Sequence, residues 1–444
     1  MRVSDIDRAR DLCEQHGIDT VECMFADTWG IPRGKRLPTS HFLKAAAGSG
    51  FATANVAFTW DMHCSIFPTD FVNDATGYPD MHVVPDLATL RVAGWRGGTA
   101  FCVCDTIDPA THEPVPLDGR HILRRSIERL RGLGYEPIAA SELEFHLCTP
   151  DWEPIYSGVH CYSMIKGSEL EPVAGDIRRA LDVSGITVEA CNAEYGPAQC
   201  EVNLGYGPAL DVADSTMVFK YVVREVARQH GLRATFMAKP FMGEAGNGLH
   251  LHQSLRGTDG KNAFAAKDAP RPVHSQLMRR YLGGLVAHQK ELQAVMAPTI
   301  NAYKRAEDYS FAPTQVCWGL DHRLVGVRCV VDHGEATRLE ARWASADANP
   351  YLALAGCLAA GADGLEREIE LPPMVTGDPH VDAACERLPT SLEVAVANLA
   401  ASDFARRVYG DVFMDTYLVM LRHEVELFSR HVTDWEKSRY QELM

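Results

Sequence analysis

Four short segments of this chain alternate polar and apolar residues with period two, and in each the polar positions are dominated by Glu, His or Arg. They are Ser141-Glu142-Leu143-Glu144-Phe145, Gln199-Cys200-Glu201-Val202-Asn203-Leu204, Gly248-Leu249-His250-Leu251-His252 and Arg338-Leu339-Glu340-Ala341-Arg342-Trp343. In an extended strand residues i and i+2 share a face. Each segment is therefore predicted to be a strand with one apolar face packed on helices and one polar face. A single strand of this kind reads as an exposed sheet face. Four together do not, because surface strands favour Thr, Lys and mixed polar residues, whereas these carry mainly Glu, His and Arg. Their shared polar face must meet water or metal.

With Glu194, just before the second segment, the pooled acidic and imidazole set is Glu142, Glu144, Glu194, Glu201, His250 and Glu340. Such a set suits hard divalent ions, Mg²⁺ or Mn²⁺, better than zinc, which would call for sulfur or several histidines. Arg305, Arg323, Arg328, Arg338 and Arg342 follow in the C-terminal half. Arginine beside carboxylate-bound metal is equipment for anionic substrates and transferring phosphoryl groups. The expectation is a polymetal phosphoryl-transfer site on one curved sheet. His250 and His252 also fit the HxH pair of a zinc amidohydrolase, but that site needs further histidines and an aspartate where the later strands offer Glu and Arg.

The rest of the chain sets the frame. A net charge of −16 argues against sequence-independent nucleic-acid binding. The uncharged stretches are shorter than the roughly 20 apolar residues of a spanning helix, and the first 25 residues lack an apolar signal region. Thirteen cysteines without a CxxC pair read as reduced thiols in the cytoplasm. A strand is predicted over 20–25, then a Trp29-Gly30-Ile31-Pro32 turn and a hairpin. Ser4 with Asp7 resembles a helix-capping pair, and Asp118 is placed to cap a helix ended by Gly132. Further helices are expected from about Asp214 to His230, from Asn349-Pro350 onward, and after Thr433 with Glu436. The order is a small β-rich domain over residues 1–107 and a large α+β domain over 108–444.

At these residues the sequence resembles the glutamine synthetase family, type I class. The matching segments are FADTWGIPRGK (25–35), Pro85-Asp86, SELEF (141–145), NAEYGPAQCEVNL (192–204), Lys239-Pro240, GNGLHLHQS (246–254), NAYKR (301–305) and RLEARWASADANPY (338–351). The resemblance implies an N-terminal β-grasp domain, a catalytic domain with a curved antiparallel sheet flanked by helices, and a homododecamer of two stacked hexameric rings. In that assembly a neighbour completes each site. It implies two or three Mg²⁺ or Mn²⁺ ions and ATP as co-substrate. Glu144, Glu194 and Glu201 would hold the cation on the glutamate side, and Glu142, His250 and Glu340 the one bridging ATP phosphates. Arg305 and Arg342, with Gly246, Glu144 and His250, would bind glutamate. Arg323, Arg328 and Arg338 would bind phosphate, Arg323, Arg305 and Arg342 acting in catalysis. His252, Ser254 and Tyr206 would contact the nucleotide. Tyr206 reads equally as a packing aromatic and Ser254 as a partner for local backbone, whereas Glu307, Asp308 and Glu335 read as solvated loop charges.

Four departures from the family pattern carry the functional reading. The glutamate that precedes the family's Ala-Pro and takes a proton from ammonium is Phe311 here, before Ala312-Pro313. The Asp-Gly-Ser-Ser motif of the first domain is missing; 50–59 reads GFATANVAFT. Ile369, not tyrosine, precedes Glu370-Leu371-Pro372-Pro373, which removes the adenylylation switch. Ala245 replaces an asparagine that touches glutamate. A cation such as NH₄⁺ needs paired negative charge to be desolvated. A site walled by Phe311, and by Trp60 of a neighbour, suits an amine with a carbon chain: ethanolamine, an alkylamine or a polyamine. The expectation is an ATP-dependent glutamate–amine ligase. Its rivals are an ammonia-using glutamine synthetase with a rearranged acceptor site and a catalytically silent relative.

Overall fold

The computed structural model describes residues 6–265, 275–331 and 334–444; Ser4 of the expected capping pair lies outside them. The first sheet contains β1 (Thr20–Ala26), β2 (Pro32–Pro38), β3 (Phe51–Ala54), β4 (Asp80–Pro85), β5 (Arg91–Val92) and β6 (Thr99–Ile107). Its order is β2-β1-β6-β4-β3, with β5 on β6. β1 and β2 form the expected antiparallel hairpin, and β1 runs parallel to β6.

The remaining strands are β7 (Glu136–Cys148), β8 (Val188–Ala193), β9 (Gln199–Leu204), β10 (Gly207–Pro208), β11 (Arg233–Thr235), β12 (Gly248–Arg256), β13 (Gln315–Val316), β14 (Trp318–Leu320), β15 (Val327–Val330), β16 (Arg338–Ser345) and β17 (Glu386–Arg387). Nine of them make one sheet, ordered β14-β15-β16-β12-β7-β9-β8 with β10 and β11 on β7, while β13 and β17 pair separately. All four alternating segments are strands of this sheet. Their apolar sides are buried, including Leu143, Phe145, Cys200, Val202, Leu249, Leu251, Leu339 and Trp343. Phe145 packs its ring at 6.1 Å from Phe219 of the helix Ala209–Gln229 and 5.4 Å from Phe236. Burying each such ring contributes about 1.5–3 kcal/mol, which commits the opposite, polar face to the other side.

The turn predicted at Trp29-Gly30 ties the first sheet to the start of the helix Pro350–Glu366. Gly30 has φ +79°, and a Cβ there would lie 2.9 Å from the Asn349 Cα, so the approach requires glycine. Asn349 caps the helix Pro350–Glu366 through Oδ1, which accepts the Tyr351 N–H at 3.0 Å. Its Nδ2 donates to the carbonyls of Asp27 and Thr28 at 3.1 and 3.2 Å.

Asp118 caps Gly119–Gly132 as expected, and Thr433 with Glu436 forms a complete capping box. The helix expected from Asp214 begins earlier, at Ala209, with no side-chain cap to mark it. The helices Thr39–Ala47 and Met164–Val183 have no counterpart in the sequence-based reading. The second has a Ser163 cap and buries Leu170, Val173, Ala174, Ile177 and Leu181. Pro172 and two glycines, Gly167 and Gly175, interrupt its pattern.

Candidate active site

Strand register brings the predicted residues together. Glu142 lies opposite His250 on one side and Asn203 on the other, and Glu144 opposite Glu201. Glu340 lies between His252 and Arg328. Pairing of β12 with β16 slips between Leu249 and Leu251, a bulge beside Arg342.

Two cavities, each of about 550 Å³, meet over this face. Tyr206, His252, Ser254 and Arg338 line one. Glu144, Glu194, Glu201, Gly246, His250, Arg305, Arg323, Arg328, Arg342 and Phe311 line the other, and Glu142 and Asn203 border both. Glu340 is wholly buried beneath them, paired with Arg328 at 2.8 Å and with Arg342. Among the expected residues Glu340 and Trp60 line neither cavity; Trp60 lies under the Arg33 guanidinium, and its carbonyl accepts the Trp29 indole N–H. Tyr206 is exposed rather than packed. Asp308 is exposed but engaged, accepting from Thr314 and Arg387.

The donor set fits divalent cations. Glu142, Glu201 and His250 each offer a ligand atom within 4.8 Å of the others. Burial and the neighbouring Glu144, Glu142 and Glu194 charges push Glu201 up to about 9; burial and Glu144 push Glu194 up to about 7. Burial also opposes ionisation of Glu340, but Arg342, His250 and His252 outweigh it and hold that carboxyl down to about 2. The same two histidines overcome burial at Glu142 and hold it well below the usual carboxylate range. Glu142, His252 and Glu340 are equally close to one another, yet His252 is a poor ligand. Its Nδ1 accepts from Arg338 Nε at 3.1 Å, which leaves the proton on Nε2, 3.0 Å from Glu142 Oε1. That contact has the distance of a hydrogen bond without its angles, so Nε2 is formally unpartnered. His252 is a donor toward the cavity.

With burial and its carboxylate neighbours pushing Glu201 up to about 9, a divalent cation binding there competes with a proton at pH 7. Uptake of Mn²⁺ at pH 7 is expected to release about one proton, read as a dependence of the calorimetric heat on buffer ionisation enthalpy. Identical heats across buffers would contradict the crowding of these carboxylates.

The far end of the second cavity is shaped for an acid. Arg305 is buried, with Nη1 donating to the Ala344 carbonyl at 3.3 Å. A Cβ at Gly248 would lie 2.4 Å from its Nη2, so this glycine makes room for the guanidinium. Arg342 Nε donates to the Arg323 carbonyl at 3.2 Å. At the rim Phe311 packs against Tyr195, ring centroids 5.5 Å apart and planes tilted by 39°. Ala245, Cys161, Tyr162 and Gln199 complete the lining. Of these, sequence reasoning singled out Ala245 alone; Tyr195 and Gln199 lay inside a recognised motif without a role.

A carboxylate-rich floor between a nucleotide-sized cavity and an arginine-lined one defines a class of metal-dependent catalyst acting on a nucleotide and a small anion. Residues 116–440 match the glutamine synthetase catalytic domain, and the chain belongs to the glutamine synthetase family. It is 35% identical over 451 residues to a glutamate–isopropylamine ligase of Pseudomonas sp, covering 98% of each chain. It is 36% identical over 439 residues to the γ-glutamylethanolamide synthetase GlnA4 of Streptomyces coelicolor, covering 96% of this chain and 93% of that one. Among solved structures, a GmaS/ADP complex superposes with a TM-score of 0.87 at 29% identity, covering 99% of each chain. Among the described residues no helix is long and apolar enough to cross a membrane.

Proposed function

We propose that this chain is an ATP-dependent ligase that joins the γ-carboxylate of glutamate to an amine. The observation that carries the reading is the acceptor rim, where Phe311, packed against Tyr195, stands at the family's ammonium-handling glutamate. The amine ligases among its relatives agree with it. The γ-phosphoryl group passes from ATP to the glutamate γ-carboxylate, giving γ-glutamyl phosphate. The amine nitrogen then attacks that carbonyl, phosphate leaves, and the nitrogen loses a proton.

Each group of side chains has its part. Arg305 and Arg342 orient the acid, and Arg323, Arg328 and Arg338 face the charge that develops on the transferring group. Tyr206, His252 and Ser254 receive the nucleotide. Glu144, Glu194 and Glu201, and Glu142, His250 and Glu340, are the residues that would hold two or three Mg²⁺ or Mn²⁺ ions. When bound, such ions neutralise phosphate charge. The test is ADP release with glutamate across ammonium, ethanolamine, alkylamines and diamines. A diamine preference is not expected: Asp61, the acid nearest Trp60 in sequence, spends one oxygen on the backbone N–H groups of His63 and Ser65. Ammonium as the best substrate would favour the glutamine synthetase reading, and no turnover the silent one.

We further read residues 1–107 as one domain and 108–444 as the other, since β6 ends at Ile107. The protein is taken as a cytoplasmic homododecamer in which a neighbour's Trp60 completes the acceptor wall. Trp60 sits outside the cavity of its own chain, which supports sharing. Activity is accordingly expected to sediment with rings alone; a fully active monomer would overturn the shared site.

A further inference from the structure

The polar face of the β7–β9 ladder has three rungs, and the reaction described above uses two. Asn203 opposes Glu142, Glu201 opposes Glu144, and Gln199 opposes His146. The third rung is closed to solvent, with Gln199 1% and His146 0% exposed. Both His146 ring nitrogens are unpartnered, whereas the Gln199 amide is hydrogen-bonded at both ends. Gln199 Oε1 accepts the Gly196 N–H at 2.7 Å, while Nε2 donates to the Gly246 carbonyl and to Asn247 Oδ1, each at 3.0 Å. The same nitrogen lies 3.4 Å from Glu144 Oε2, whose closer donor is the Gly248 N–H at 2.5 Å. Asn247 Nδ2 in turn donates to the Met237 carbonyl at 2.8 Å. There is no room for anything else: a Cβ at Gly196 would lie 2.4 Å from His146 Nε2 and 2.9 Å from Gln199 Oε1.

One amide thus joins the turn after Glu194 to the loop 246–248, and the Gly248 N–H of that loop in turn donates to the Glu144 carboxylate. We infer that Gln199 is a positioning residue, which fixes Glu144 against the Gly246–Gly248 loop and so sets the geometry of the acid end of the site. For the identity of the acid this rests on the ligase reading; the positioning itself rests on the hydrogen bonds. An amide is the group the place requires. It must accept from one backbone N–H and donate to two oxygens at once, and only Asn or Gln offers both among neutral side chains of that reach. Truncating it would leave the Gly196 N–H and the Asn247 oxygen unpaired in a dry interior. Those two segments would then settle independently of Glu144.

The bland alternative is that Gln199 only fills buried polar space. Gln199→Glu separates the two. It keeps the size and the acceptor for Gly196, but a carboxylate donates to neither the Gly246 carbonyl nor Asn247 Oδ1. Gln199→Leu removes both functions. Asn247→Ala deletes one of the two oxygens that Gln199 donates to, together with the Nδ2 donor to the Met237 carbonyl, and serves as a further variant should either of the others fold poorly. Three quantities are read on each: Mn²⁺ affinity by electron paramagnetic resonance, the KM for glutamate, and the affinity for ADP. Partners that orient a ligand typically matter by 10–100-fold in affinity. Mn²⁺ affinity and the glutamate KM are therefore expected to worsen about 10-fold or more in Gln199→Glu. Asn247→Ala is expected to show the same split more weakly. ADP affinity is expected to stay near wild type, because Tyr206, Ser254 and Arg338 make no hydrogen bond to Gln199. Equal losses for ADP and glutamate, or wild-type Mn²⁺ affinity in all three variants, would overturn the inference. The Mn²⁺ measurement needs no substrate, so it still judges Gln199 if glutamate or amine turnover fails and the ligase reading falls.

Discussion

Glu142→Ala and His250→Ala are each expected to lower ADP release by at least ~10³-fold while leaving the fold and the assembly intact. Glu142 is the hinge of the site. It borders both cavities, faces His250 and His252, and shares a set of ligand atoms with Glu201 and His250. A cation at a transferring phosphoryl group is worth several kcal/mol of charge stabilisation, and each 1.4 kcal/mol is a tenfold change in rate. Losing one ligand of a small set forfeits most of that. The fold does not need either group. Both sit on the polar face, whereas Leu143, Leu249 and Leu251, which hold β7 and β12 against the helices, are untouched. Removing Glu142 even relieves the crowding that pushes up Glu201. Unchanged thermal unfolding and sedimentation, with turnover lost, is the expected pair of results. Wild-type-like turnover in either variant would remove these residues from the site.

What the sequence disclosed follows from the physics of period two. A strand buried on one side must alternate, and a functional polar face then announces itself by carrying Glu, His and Arg where solvent would accept Thr or Lys. The same logic reached one rung short. His146 and Gln199 continue the alternation of Glu142-Glu144 and of Glu201-Asn203, but a neutral amide looks like ordinary polar filler until the loop 246–248 is seen folded over it. Helix periodicity fared worse where breakers intervened. Met164–Val183 carries a sound apolar stripe, yet Gly167, Pro172 and Gly175 mask it, because its packing against the sheet outweighs their poor propensity. The expected division between a nucleotide end and an acid end needed register, not pattern. His252 came out as a proton donor because of where Arg338 points, which no spacing encodes.

The acceptor rim gives the second large effect. Phe311→Glu is expected to lower kcat/KM for an alkyl-bearing amine about 10–100-fold, the range over which an apolar pocket discriminates small groups. Phe311 is half-exposed at the cavity mouth and packs against Tyr195, so the exchange costs the core nothing. Its φ of +60° is already borne by a non-glycine residue, and glutamate is no more strained there. The new carboxylate joins Glu194 on the lining of the same cavity, where burial and Glu144 already push Glu194 up to about 7. It stabilises a small cation but destroys the apolar wall. Ammonia turnover is expected to rise only slightly, because the first-domain aspartate motif is still missing and one carboxylate does not desolvate NH₄⁺ well. The decisive quantity is therefore the ratio of kcat/KM for the amine to that for ammonium, which isolates differential transition-state binding. A wild-type enzyme that already prefers ammonium over every amine would end the amine-ligase reading. An unchanged ratio in the variant would instead remove Phe311 from the acceptor pocket.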